Sequence, residues 1–149
     1  MRAALGLGGN LGDRRAHLDS AIAALREHME VLAVSRFHET EPVGGPSGQG
    51  RYLNAVVLVE TELSPRALLA LARSIEAAAG RVRRERHGPR TLDIDVLLYG
   101  DRVLREQGLT IPHPRMTRRR FVLEPLAEVA PDWAVPGCDR NVEELLADL

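Results

Sequence analysis

Arg81, Arg83, Arg84, Arg86 and Arg90 crowd five of the chain's 20 basic residues into ten positions, and Asp93 and Asp95 follow directly. The two aspartates open an apolar run of Ile94, Val96, Leu97, Leu98 and Tyr99 that closes at Gly100 and reads as a β-strand. Residues two apart on a strand share a face and lie about 6.6 Å apart along the chain. Two carboxylates held side by side repel each other unless a cation sits between them. Mg²⁺ takes oxygen ligands, commonly one or two carboxylates completed by substrate phosphates. Neighbouring arginines would hold the remaining phosphate charge. Each half has a plainer reading: an Asp-x-Asp pair is common, and an arginine-rich segment is more often a solvated loop. Their adjacency at the start of a buried strand points to a Mg–nucleotide site.

A sheet has to hold such a strand. Residues 3–7 form a short apolar run leading into Gly6-Leu7-Gly8-Gly9-Asn10-Leu11-Gly12, read as strand and then glycine loop. A dinucleotide fingerprint fails there, because G-x-G-x-x-G from Gly6 needs glycine where Leu11 stands. The loop reads instead as a tight turn that lets backbone approach something closely. Asp13 caps a helix whose core face is Leu18, Ile22, Leu25 and Met29. Residues 31–38 read as a strand, and 39–50 as a glycine- and proline-rich loop of the length that is usually functional. Residues 53–59 are too apolar for a strand with one wet face, so they make a central strand, with Asn54 its polar exception.

Ser64 and Pro65 start a second helix with a stripe of Leu68, Leu71, Ala72, Ile75 and Ala79, ended by Gly80. After the aspartate strand, Gly100-Asp101 reads as a hairpin turn to a short strand at 103–104. Prolines 112 and 114 stiffen the stretch around His113 in extended form, and Arg118, Arg119 and Arg120 make a second basic cluster. Pro125 suits the first turn of a short helix through Ala130, and Asn141 can cap a last helix to Asp148. The order strand–helix–strand–strand–helix–strand is the ferredoxin-like split βαβ pattern. It predicts an α+β sandwich, one domain over 1–149, with a mostly antiparallel sheet and helices on one face.

Length and composition narrow the function. The 149 residues allow one domain with a real core, and a net charge of −1 gives no global field for nucleic acid or anionic membrane. All basic residues are arginine, which excludes a Walker lysine or a Schiff base. Cys138 is the only cysteine, so an internal disulfide and a cysteine zinc site are excluded. The N-terminus lacks a signal-peptide core and no apolar run reaches membrane length, so a cytoplasmic location is expected. A monomer is the default expectation. Ferredoxin-like sheets also serve as RNA-binding modules, but Phe37, Tyr52, Tyr99, Phe121 and Trp133 form no stacking motif. A Mg–ATP-binding sensor without turnover is a second alternative.

Gly88-Pro89-Arg90-Thr91-Leu92-Asp93-Ile94-Asp95-Val96-Leu97-Leu98-Tyr99-Gly100 resembles the signature of the 6-hydroxymethyl-7,8-dihydropterin pyrophosphokinases of folate biosynthesis. Gly8-Gly9-Asn10-Leu11-Gly12, Thr40-Glu41-Pro42-Val43-Gly44 and Tyr52-Leu53-Asn54 resemble other segments of that family. So do Leu109-Thr110-Ile111-Pro112-His113-Pro114 and Arg119-Arg120-Phe121-Val122-Leu123-Glu124-Pro125-Leu126, and all fall in the family's order. The resemblance implies a ferredoxin-like fold and transfer of the β,γ-diphosphate of ATP to the pterin hydroxymethyl group, releasing AMP. It implies that Asp93 and Asp95 bind two Mg²⁺ ions and act in catalysis with Arg81 and Arg90. Arg81, Arg83, Arg86, Arg90, Thr110, His113 and Arg119 would line the ATP side. The pterin would lie between Tyr52 and Phe121, near Thr40, Pro42, Val43 and Asn54. The expected partners are these two small molecules, with no nucleic acid and no membrane. His87 departs from the tryptophan common in the family, and Gly108 and Pro114 stand where some members carry arginine and tyrosine.

Overall fold

Aliphatic runs broken by turn-forming residues give this chain an antiparallel sheet, and capped amphipathic stretches give the helices that cover it. The computed structural model describes residues 1–41, 50–80 and 91–149. Strands β1 (Arg2–Gly9), β2 (Glu30–Val34), β3 (His38–Thr40), β4 (Tyr52–Glu60) and β5 (Asp93–Tyr99) form one sheet. Its order is β2-β4-β1-β5, with β3 also paired to β4, and all of these pairings are antiparallel. Helix α1 (Arg14–Arg26) follows β1, and α2 (Pro65–Ala78) joins β4 to β5, which is the split βαβ arrangement.

Local chemistry starts both helices. The Asp13 carboxylate accepts the Ala16 N–H at 3.1 Å, and the Ser64 hydroxyl accepts the Ala67 N–H at 3.1 Å with Pro65 just inside the helix. Leu18, Ala21, Ile22 and Leu25 of α1, with Leu68, Ala72 and Ile75 of α2, pack on Leu5, Leu7, Val57, Val59, Ile94 and Val96. Burying each large aliphatic side chain contributes about 1.5–3 kcal/mol, so this layer carries much of the stability. Met29, Leu71 and Ala79 lie at its margin, half-buried rather than buried.

The structure departs from the sequence reading at several elements. Gly6, Gly8 and Gly9 belong to β1, because β4 and β5 pair with it on both sides and carry the ladder through them. The turn is confined to the residues just before α1, with Gly12 at φ 65°. The expected strand over 31–38 is two strands, since Ser35 interrupts it by taking the Val56 N–H on its hydroxyl at 2.9 Å and giving that hydroxyl to the Arg36 carbonyl at 2.8 Å. Strand β6 (Leu104–Glu106) pairs with β7 (Leu109–Ile111) in a separate two-stranded sheet and not with β5. Finally, α3 (Arg120–Val129) begins five residues before Pro125, which sits inside it. The pull of Leu123 and Leu126 into the core outweighs the one helical hydrogen bond that a proline cannot donate.

Helix α3 and the short α4 (Val142–Ala147), capped by a reciprocal Asn141–Glu144 pair, cover the sheet face opposite α1 and α2. Helices therefore lie on both faces, where the split pattern alone predicts one. Leu97 and Leu98 both enter this second layer because the β1–β5 register shifts between Ala4 and Leu5, a bulge that turns consecutive residues the same way.

Candidate active site

The second sheet face changes character along the strands. Near one end Ala4, Val56, Leu58, Leu97 and Leu98 meet the apolar sides of α3 and α4. Toward the other end the register sets Asn54, Gly8 and Asp93 in one row, and Val56, Gly6 and Asp95 in the next. The aspartates thus share a face, and two glycines separate them from Asn54. Without side chains at Gly6 and Gly8 the sheet dips into a cleft of about 160 Å³. That is below the ~300–1,000 Å³ of drug-sized sites and suits one small flat ring system. Thr40, Glu41, Tyr52 and Asn54 line one side, and Asp93, Asp95 and Leu97 the other. Arg119, Phe121 and Val122, at the start of α3, close over it.

The floor must stay bare. A Cβ on Gly8 would stand 2.7 Å from Asn54 Oδ1, closer than real contacts allow. Asn54 Nδ2 donates to Thr40 Oγ1 at 2.5 Å, which leaves Oδ1 over Gly8 and available to a ligand donor. The approach to Tyr52 is also braced: Asn10 donates to the Gly50 carbonyl at 3.1 Å, and Arg14 donates to the Arg51 carbonyl at 2.8 Å.

Electrostatics distinguish the two sides. The half-buried Asp95 carboxyl is pushed up to about 6, first by its burial and then by the Asp93 charge, against the pull of Arg73 and Arg119. Burial, then Arg119 and Arg115, lowers His113, so its ring is neutral at neutral pH. Its Nδ1 accepts the Arg115 N–H at 3.4 Å, which assigns the proton to Nε2. Arg119 is lowered by partial burial and by Arg115, and its guanidinium stands 5.3 Å from the Phe121 ring centre. It remains cationic.

A divalent cation fits this donor set. No group of three or more His, Cys, Asp or Glu side chains able to hold a metal occurs among the described residues, so a closed protein cage is not built here. The Asp93–Asp95 pair offers what Mg²⁺ uses when substrate oxygens complete its shell.

The structure brings Thr40, Tyr52, Asn54, Asp93, Asp95, Arg119 and Phe121 of the sequence reading into one cleft. His113 and Thr110 are not in its lining: the His113 N–H bonds the Leu97 carbonyl at 3.0 Å, and Thr110 lies on β7 opposite Arg105. The Ile111–Pro112 peptide between them is cis. Pro42, Val43, Arg81, Arg83, Arg86 and Arg90 fall outside the described residues. The sequence reading misses Gly6 and Gly8 as a floor, although their alternation 6, 8 in a strand parallels that of 93, 95.

Residues 4–131 match the model of the family described as 7,8-dihydro-6-hydroxymethylpterin-pyrophosphokinase. The chain belongs to this family. It is 45% identical over 146 residues to the 2-amino-4-hydroxy-6-hydroxymethyldihydropteridine pyrophosphokinase of Synechocystis, covering 97% of this chain and 74% of that protein. The protein of the same name from Methylorubrum extorquens is 46% identical over 150 residues, covering 99% of this chain and 93% of that one. Among solved structures, the wild-type Plasmodium falciparum HPPK-DHPS with pteroate superimposes at a TM-score of 0.77 with 15% identity. The match covers 99% of this chain and 42% of that longer chain, and at this identity it is a likeness of fold.

Proposed function

We propose that this cleft is where ATP and a reduced pterin meet. The reaction follows from the family: the pyrophosphoryl group of ATP passes to 6-hydroxymethyl-7,8-dihydropterin, a step of folate biosynthesis. The observation that carries the reading is the same-face Asp93–Asp95 pair, set across bare glycines from Asn54 and Tyr52 with Phe121 above.

In this reading the pterin ring lies between Tyr52 and Phe121, and the Asn54 carbonyl and Thr40 hydroxyl take its polar edge. Pro42 and Val43 extend that edge. Asp93 and Asp95 hold two Mg²⁺ ions, which supply charge neutralisation at the phosphate oxygens. Arg119 and the Nε2–H of neutral His113 face the triphosphate, with Thr110 beside them. Arg81, Arg83, Arg86 and Arg90 add the cationic charge the polyphosphate needs. The hydroxymethyl oxygen bonds to the β-phosphorus as the bond from that phosphorus to the α,β-bridging oxygen breaks. That oxygen leaves with AMP, and the hydroxyl proton passes to solvent. Positioning and charge stabilisation suffice for such a transfer, so no covalent nucleophile is required. The reading takes the protein to act as a monomer, and the use of ATP fits a cytoplasmic setting.

Incubating the protein with MgATP and 6-hydroxymethyl-7,8-dihydropterin, with AMP and ADP resolved, tests it. Pterin-dependent AMP without ADP is expected. ADP would mean transfer of the γ-phosphoryl alone, and ATP binding without turnover would favour the sensor.

A further inference from the structure

Glu76 is 2% exposed on α2, and the chemistry above does not use it. A buried carboxylate is costly unless paired and hydrogen-bonded, so its partners matter. Glu76 Oε2 accepts the Ile94 N–H at 2.7 Å and an Arg73 Nη1–H at 2.8 Å. The same Arg73 nitrogen donates to the Ile94 carbonyl at 3.0 Å. Ile94 is the residue between the two site aspartates. Among the described residues β5 is an edge strand of the main sheet, paired to β1 alone, and an edge leaves outward N–H and C=O groups without a ladder partner. Glu76 and Arg73 supply the acceptor and donor that another strand would have supplied, at this one residue.

We propose that Glu76, together with Arg73, is a positioning residue for the cation site: the clamp on Ile94 sets the pleat from which Asp93 and Asp95 project together. The inference rests on the reading of those aspartates as cation ligands. An apolar residue at position 76 would fill the same space without desolvating a charge. The carboxylate's role is therefore orientation of β5, in the way outer partners orient ligands in metal sites. Ile94 itself faces the opposite layer, so its side chain cannot do this.

The test uses the full chain and Mn²⁺ as a paramagnetic substitute for Mg²⁺. Free Mn²⁺ is counted in the presence of α,β-methylene-ATP, which cannot be cleaved at the bond that breaks. Pterin binding is followed separately by its own fluorescence. Glu76→Ala and Arg73→Met are expected to weaken Mn²⁺ binding roughly tenfold or more while leaving pterin affinity near that of the unaltered protein. Glu76→Gln, which can still accept the Ile94 N–H, should recover most of the loss. Folded variants that bind Mn²⁺ normally, or lose Mn²⁺ and pterin binding together, overturn the proposal. Should Glu76→Ala not fold, Arg73→Met decides, since the Arg73 side chain is 41% exposed. Asp95→Asn run in parallel separates the two ideas: intact Mn²⁺ binding there would remove the cation site itself and the positioning role with it.

Discussion

The two faces of one sheet, made from alternate residues of the same three strands, are used in opposite ways. Toward α1 and α2, strands β1, β4 and β5 present Leu5, Leu7, Val57, Val59, Ile94 and Val96, all buried. Toward α3 they present Gly6, Gly8, Asn54, Asp93 and Asp95, which leave a cleft. A one-residue offset along each strand therefore separates stability from chemistry. That separation has a cost: on the second face two carboxylates are held together in a half-buried place where folding alone would not put them.

Substitutions on the two faces should come apart cleanly. Asp95→Asn is expected to lower the single-turnover rate of AMP formation on the order of a thousandfold, several kcal/mol of transition-state stabilisation. In metal-free protein the same change removes the burial cost of the Asp95 charge and its repulsion from Asp93 and Glu76. Calorimetry should then show a higher Tm, corresponding to added stability on the order of 1 kcal/mol. Loss of activity together with a lower Tm would make Asp95 part of the fold and collapse the distinction. Leu5→Ala, on the other face, should cost about 2–5 kcal/mol in urea unfolding and leave kcat and both KM values per folded molecule unchanged. A large change in KM there would mean the layers are coupled.

Gly8→Ala probes the boundary and should have a smaller effect. The new Cβ displaces the Asn54 carbonyl oxygen, so one hydrogen bond to the pterin is lost, about 0.5–1.5 kcal/mol or up to tenfold in pterin KM. The KM for MgATP should hold steady. An equal rise in both would place Asn54 outside the pterin side.

The legible parts of this molecule are those that follow from period and cap. Asp93 and Asp95 share a face because a strand alternates, and Asp13, Ser64 and Asn141 cap helices where their side chains predict it. Tyr52, Asn54 and Phe121 meet the aspartates in the cleft, but their meeting is implied by the family resemblance and not by spacing. Gly6 and Gly8 read as loop because glycine is usually a turn signal, and only pairing on both sides reveals a floor. The start of α3 is hidden by Pro125, whose local preference yields to the burial of Leu123 and Leu126. Glu76 looks like surface, yet the spacing 68, 72, 76 puts it on the buried stripe of α2.

The smallest effect lies where α3 is tied to the strands. Glu128 accepts the Arg36 N–H at 2.8 Å and lies 2.5 Å from His38 Nε2, anchoring α3 to the junction between β2 and β3. Desolvation would raise its carboxyl, but the Arg36 N–H, then His38 and the Arg36 guanidinium, outweigh that and hold it below the usual range. A group whose pKa falls on folding stabilises the folded state fully above its unfolded value, near 4.5, and loses that contribution as pH drops through the lower folded value. Glu128→Gln should thus lower Tm by roughly 1–3 °C at neutral pH, the scale of an exposed charged pair. The difference should shrink as the pH is taken down from about 4.5. Because α3 carries Phe121 over the cleft, the same variant should raise pterin KM slightly at neutral pH, and a Tm change with no KM change would show that the anchor serves the core and not the cleft.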